Sequence, residues 1–174
     1  MKPNAIVYTS NTGYTKQYAE LLGKETGLPV YSLDEAGKEL CQGDSVIYMG
    51  WLMAGKIQGY AGALKQFHVE AVCGVGAGAT GSQMQELRKA NALPEAMPLF
   101  TLQGGFDMAR LRGVYRLMME VMVRTAGKKL ANKKDRTPEE DMMLDLMLHG
   151  GSCVSEENLS SVLNWYREVL SCGC

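Results

Sequence analysis

The reading of this chain turns on "VYTSNTGYTKQYAELLG", residues 7–23. An apolar run ends in Ser10, Asn11, Thr12, Gly13, Tyr14 and Thr15, and a helical pattern begins at once. A loop of this kind can hold a phosphate. Its backbone N–H groups line a concavity, and the helix that follows adds the positive end of its dipole. Ser10, Thr12 and Thr15 can donate hydroxyl hydrogen bonds and Asn11 an amide. Gly13 lets the backbone come close or take a positive φ. The loop has no Lys or Arg, so an anion there would be held by dipoles and neutral donors. It has no GK[ST] of a nucleotide-triphosphate loop, and no GxGxxG follows the first strand. A hydroxyl-rich turn is also an ordinary helix N-cap, so Thr12 alone does not separate the two readings.

Outward from this loop the pattern alternates. "AIVYT" (5–9) predicts a strand and residues 13–25 a helix that Gly27 ends. "LPVYSL" (28–33) predicts a second strand, its Pro29 suited to an edge, and "EAGKEL" at most a short helix. "DSVIYMG" (44–50) and "VEAVCGVGA" (69–77) are continuous apolar runs, as strands covered on both faces show. Residues 58–67 and 80–91 predict helices, and "MPLFTLQ" (97–103) a fifth strand. A last helix is expected from Ser155, where "SEEN" puts an N-cap and two acids in the first turn. Leu159, Val162, Leu163, Tyr166, Val169 and Leu170 share one face of it. Five strands alternating with helices predict a single α/β domain over 1–174, a parallel sheet with helices on both sides.

Composition limits the rest. The chain of 174 residues suits one well-buried domain. The net charge of −1 gives no global field for nucleic acid, and no partner of that kind is expected. No apolar run approaches the roughly 20 residues of a membrane span. "MKPNAIVY" leads straight into a strand pattern without a signal-peptide layout. Cys41, Cys73, Cys153, Cys172 and Cys174 lack paired zinc-type spacing. A cytoplasmic protein with reduced thiols is therefore expected. The "SCGC" tail could bind a metal or cycle through a disulfide, but a frayed terminus is the simpler reading. His68 and His149 are isolated from metal-ligand spacing.

Residues 104–150 break the alternation. They hold no strand pattern but two helical ones, "RGVYRLMMEVMVRTAGKKL" and "TPEEDMMLDLML", the second with Thr137 as N-cap and Pro138 at the first helical position. Seven of the twelve methionines fall here, which makes the segment a soft, adaptable apolar surface. It either packs on the sheet edge as a subdomain or meets a partner or apolar substrate. Arg124, Lys128, Lys129, Lys133, Lys134 and Arg136 follow, opposed locally only by Asp135. This 124–136 cluster is either a solvated helix end or a contact for anionic lipid head groups or an acidic redox partner.

Ser10-x-Thr12-Gly13-x-Thr15 resembles the phosphate-loop signature [ST]-x-T-G-x-[ST] of flavodoxins, which bind FMN. "MGWLMAGKI" (49–57) and "VGAGATG" (75–81) fall where flavodoxins place their ring-binding loops. "GGFDMARLRGVYRLMM" resembles, more loosely, the segment after the fifth strand in the flavodoxin-domain group that includes menaquinone-dependent protoporphyrinogen oxidase. The resemblance implies a flavodoxin-like five-stranded parallel sheet of order 2-1-3-4-5, with a helical insertion after the fifth strand. It implies FMN as cofactor. Ser10, Asn11, Thr12, Gly13, Tyr14 and Thr15 would cradle its phosphate. Gly50, Trp51, Leu52, Met53, Ala54, Gly55 and Lys56 would border one side of the isoalloxazine. Val75, Gly76, Ala77 and Gly78 would offer backbone donors to its pyrimidine edge. Trp51 is the only aromatic candidate for stacking, and the second loop has none, so one flavin face would be open to substrate. Trp51 could equally be core, and Lys56 a surface charge; at the flavin, Lys56 would favour the anionic reduced form.

Two relatives by topology are excluded. A receiver domain needs an Asp ending the third strand, where this chain has Met49-Gly50. A low-molecular-weight phosphatase needs Cys and Arg in the first loop, and neither is there. Two functions stay open. One is an FMN-dependent oxidoreductase acting on a quinone- or porphyrinogen-like molecule, with the insertion beside the uncovered flavin face. The other is a flavodoxin-type electron-transport carrier docking on redox partner proteins.

Overall fold

The computed structural model describes residues 1–107, 111 and 113–171. Met108, Ala109, Arg110 and Arg112 of the "GGFDMARLRGVYRLMM" segment, and the Cys172–Cys174 end of the "SCGC" tail, lie outside the described residues.

Strand β1 (Ala5–Thr9) leads into α1 (Tyr14–Thr26), which Gly27 closes at φ +72° with its N–H on the Gly23 carbonyl. Strand β2 (Val30–Ser32) is followed by α2 (Leu33–Glu39), started by a capping box between Ser32 and Glu35. Strand β3 (Ser45–Met53) turns back into β4 (Lys56–Ile57), and α3 (Tyr60–Gln66) leads to β5 (His68–Gly76). Then come α4 (Met84–Ala90), β6 (Leu99–Gln103) and β7 (Gly105–Phe106). The insertion contains α5 (Gly113–Met122), a π-helical turn (Val123–Gly127), α6 (Lys128–Ala131) and α7 (Pro138–His149). Strand β8 (Gly151–Ser152), a 3-10 turn (Glu157–Leu159) and α8 (Ser160–Ser171) complete the chain.

The five long strands pair in parallel in the spatial order β2-β1-β3-β5-β6. This is the expected 2-1-3-4-5 arrangement once the short β4 is set aside. The result is an α/β protein, a mostly parallel sheet flanked by helices, compatible with a flavodoxin-like fold. Side chains alternate between two cores as the strand period requires. Val7, Val46, Tyr48 and Val72 face α2, α3 and α4 through Ala36, Ala63 and Leu87. Ile6, Ile47, Met49 and Cys73 face α1 and α8 through Tyr18, Leu22, Val162 and Tyr166.

Several expectations need correction. The sheet is not wholly parallel: β4 runs antiparallel to β3, with Leu52 opposite Ile57 and Met53 opposite Lys56. The 104–150 segment does contain strand, because β7 pairs with β8 across the insertion, Gly105 with Ser152 and Phe106 with Gly151. The helix expected from Thr80 begins at Met84, after Thr80 and Gly81 are spent on hydrogen bonds to β6. Ser155 does not cap the last helix. Asn158 Nδ2 donates instead to Tyr18 Oη (2.7 Å) and the Cys153 carbonyl (2.9 Å), so a 3-10 turn precedes α8. Leu170, expected on the buried face, is exposed. Thr137 and Pro138 start α7 as expected, with a capping box to Glu140.

Candidate functional site

The carboxyl ends of β1, β3, β5 and β6 converge on one cleft of about 280 Å³. This is where ligands bind in open parallel sheets, beside the reversal of strand order. The loop after β1 forms one end. Gly13 takes φ +94° immediately before α1, a conformation that favours glycine, and Ser10 Oγ accepts its N–H at 3.1 Å. That bond keeps the Gly13 N–H within the loop. Asn11, Thr12, Tyr14 and Thr15 line the cleft; Ser10 and Gly13 shape the turn behind them. The Asn11 Nδ2 is buried and has no hydrogen-bond partner among the described residues. A buried donor left unpaired costs about 1–3 kcal/mol, so this amide is suited to receive an acceptor. No Lys or Arg lines the cleft among the described residues.

Tyr14 has a second task. Its hydroxyl donates to the Gly151 carbonyl at 3.0 Å, and its ring lies against Gly105, where a Cβ would fall 2.8 Å from Cζ. The first residue of α1 thus holds the base of the insertion. Tyr18, one turn on, donates to the Gln103 carbonyl at 2.5 Å. Burial pushes the Tyr18 phenol above its ordinary pKa, with the Asn158 hydrogen bond opposing.

The first ring loop is not a loop. Gly50, Trp51, Leu52 and Met53 are strand, and Ala54 and Gly55, at φ +48° and +75°, form a two-residue hairpin turn with both central residues left-handed. Trp51, Leu52, Met53, Ala54 and Gly55 line the cleft. Two members of the expected set do not. Gly50 is buried within the sheet, packed on Ile57 and the Gln58 carbonyl. Lys56 points away, because its place opposite Met53 turns the ammonium toward α4, where Nζ donates to the Ala90 carbonyl. Asn91 holds the hairpin: its Oδ1 accepts the Ile57 N–H (2.9 Å), and its Nδ2 donates to the carbonyls of Gly55 (3.0 Å) and Leu87 (2.8 Å).

Val75, Gly76, Ala77 and Gly78 line the cleft opposite, with Leu52 lying across Gly74 and Gly76. Their loop is tied to its neighbours: Gly104 N–H donates to the Gly76 carbonyl (2.7 Å), and Thr80 Oγ1 donates to Asn158 Oδ1 (2.8 Å) while accepting the Gln103 N–H (3.0 Å).

The remaining wall comes from the insertion: Phe106, Leu111, Met119, Met143 and Met147. Tyr115 of α5 meets Trp51, so the insertion reaches the Trp51 side as well as the side without an aromatic. Sequence reasoning pointed to the seven methionines of 104–150 without singling out these three; a helix apolar on several sides gives no signal for which side faces inward. Nor does anything local in the sequence mark Asn91. His68 lies beside Glu70 (3.6 Å) and His149 beside Asp145 (2.8 Å), both away from the cleft. Among the described residues no group of three His, Cys, Asp or Glu gathers as a metal site, and no helix is long and apolar enough to cross a membrane.

The cleft therefore joins a hydroxyl- and amide-bearing loop at a helix N-terminus, with no cation among the described lining residues, to the β3 hairpin, the loop after β5 and a thioether-rich apolar wall. Neither a protein-family model nor a curated protein matches the chain.

Proposed function

We propose that this protein binds FMN in the cleft and is an oxidoreductase that exchanges electrons with a flat, apolar quinone- or porphyrinogen-like molecule. The observation that carries the reading is the unpaired, buried Asn11 amide in a cation-free loop at the start of α1, a donor set matched to a phosphate ester. Asn11, Thr12 and Thr15 would hold the phosphate, assisted by the dipole of α1. Trp51, Leu52 and Met53 on one side and Val75, Gly76, Ala77 and Gly78 on the other would border the ring system. FMN supplies one- and two-electron transfer when bound; the protein's own residues bind it, orient it and control access.

Substrate access is the second half of the proposal. Met119, Met143 and Met147 form a deformable apolar wall of the cleft. An electron carrier that docks on a partner needs an exposed flavin edge but no such wall, which favours the enzyme over the carrier.

The test is direct. Purified protein should be yellow or become yellow with added FMN, quenching FMN fluorescence with saturation at one equivalent. FAD and nucleoside triphosphates should bind more weakly. A colourless protein that leaves FMN fluorescence unchanged would end the proposal. With FMN bound, reoxidation by a soluble quinone in stopped flow supports the enzyme; reoxidation only by a protein acceptor supports the carrier.

A further inference from the structure

We infer that the outward face of α5 is a docking surface for an anionic lipid bilayer. Helix α5 walls the cleft with its inner side, through Met119 and through Tyr115 against Trp51. Its outer side carries Val114, Leu117, Met118 and Val121, exposed by 62%, 62%, 46% and 55%. These positions follow i, i+3, i+4 and i+7, a single stripe along a helix. Water-facing helix surfaces are ordinarily polar, and a contiguous apolar stripe marks a contact.

Charge identifies the occupant. The helical run continues from α5 through the π turn into α6, where Arg124, Lys128 and Lys129 are exposed, with exposed Lys134 just beyond. None of these four makes an ion pair among the described residues. Lys133 and Arg136 are answered by Glu140 (2.7 Å) and Asp141 (2.5 Å). Residues 124–136 hold six basic side chains and one acid, a charge of +5, while the rest of the chain carries −6 of the total −1. An apolar stripe running into a cationic patch, on an otherwise acidic protein, fits the boundary between acyl chains and head groups of an anionic leaflet. A two-fold contact with a second copy fits less well, since it sets like patches near each other. The surface lies behind the methionine wall, so docking would bring the cleft to the membrane interface. This goes beyond the flavin reading and does not depend on it.

The experiment is co-sedimentation of the full-length protein with sucrose-loaded vesicles. One set contains equal phosphatidylglycerol and phosphatidylcholine, the other phosphatidylcholine alone, at low and at physiological ionic strength. The protein is expected to pellet with the anionic vesicles only, less so as salt rises. Leu117→Glu with Val121→Glu should weaken partitioning at least about tenfold, and Lys128→Glu with Lys129→Glu by roughly thirty-fold. Lys65→Glu, an exposed charge reversal on α3, should not change it. Wild type left in the supernatant overturns the inference, as does unchanged binding in either double variant or an equal loss in Lys65→Glu. A self-association abolished by Leu117→Glu with Val121→Glu, without vesicle binding, would assign the face to a second copy. If one double variant fails to fold, wild type and the other still decide. FMN titration of the same samples separates the proposals: lost partitioning with intact FMN binding removes this one alone, and the converse removes only the flavin reading.

Discussion

Tyr115 meets Trp51 edge to face, with ring centroids 5.1 Å apart and planes at 85°. The contact fastens the first helix of the insertion to the strand whose hairpin borders the cleft. An aromatic pair of this geometry is worth about 0.5–1.5 kcal/mol beyond its buried area. Trp51 therefore reports on both the cleft and the insertion. The other tryptophan, Trp165, lies across the sheet core against Phe100. In a Trp165→Phe background, FMN is expected to quench most of the remaining emission, and Tyr115→Ala to shift that emission to the red. Emission indifferent to both would return Trp51 to a purely structural role.

The loop after β1 makes graded predictions. Asn11→Ala and Thr12→Val each remove a donor facing the cleft. Losing a hydrogen bond to a charged group costs about 1.5–3 kcal/mol, roughly ten- to hundred-fold in FMN affinity. Ser10→Ala should cost less, because the Ser10 hydroxyl serves the Gly13 N–H. Isothermal titration calorimetry of the three variants checks the order. Wild-type affinity in both Asn11→Ala and Thr12→Val would remove the loop from the site.

Asn91 is the residue to change for the hairpin. Asn91→Ala strands the buried Ile57 N–H and frees the Gly55 carbonyl. A loss of about 1–3 kcal/mol is expected, a fall in Tm of roughly 3–10 °C for a chain of this size. FMN affinity should drop as well, since the hairpin walls the cleft. A Tm within one degree of wild type would mean the hairpin holds itself.

Alkaline pH should unfold the protein for a definable reason. Burial pushes the Cys73 thiol up to about 12, from an ordinary 9, and the Tyr48 phenol up to about 12, from 10. Both are neutral when protonated, so the folded state keeps protons that the unfolded chain releases. Stability is then fully present below pH 9 and falls as pH rises, first through Cys73 and from pH 10 through Tyr48 as well. Cys73→Ala should flatten the fall between pH 9 and 10 while lowering the plateau, because a core thiol is lost. Thermal melts across pH 7–11 give the slope; parallel curves for wild type and variant would contradict the assignment.

Enzyme and carrier part company at the insertion. A chain in which a short turn replaces residues 108–148 keeps β7 and β8. It should still bind FMN, since the loops after β1, β3 and β5 are untouched. Reoxidation by a soluble quinone should fall by at least about tenfold, as the methionine wall is gone. Unchanged rates would favour the carrier.

The parallel strands were legible because doubly buried strands leave continuous apolar runs, as in residues 46–50 and 71–75. The end of α1 at Gly27 and the start of α7 at Thr137-Pro138 were legible because caps are local chemistry. What escaped was nonlocal. Strands β4, β7 and β8 are dipeptides defined only by their partners. Ala54 at positive φ imitates none of the usual turn pairs. The direction of Lys56 depends on the register of the hairpin, and where Ser155 was expected to cap the last helix a 3-10 turn stands instead, its Asn158 bonded to a tyrosine in α1. Around the cleft, the place of the first loop could be read from its position after the first strand, while the Asn91 clamp and the inward methionines depend on which elements meet.

The two-rung ladder of Gly105–Phe106 with Gly151–Ser152 brings the ends of the insertion side by side. Everything between them is closed off as a loop at one point. The chain entropy of such a closure rises slowly, by roughly 0.6 kcal/mol for each doubling of length. The sheet is thus little affected by the length of what is mounted there. The insertion is in effect a cassette: selection, or a protein engineer, can exchange this wall of the cleft without solving the rest of the fold again.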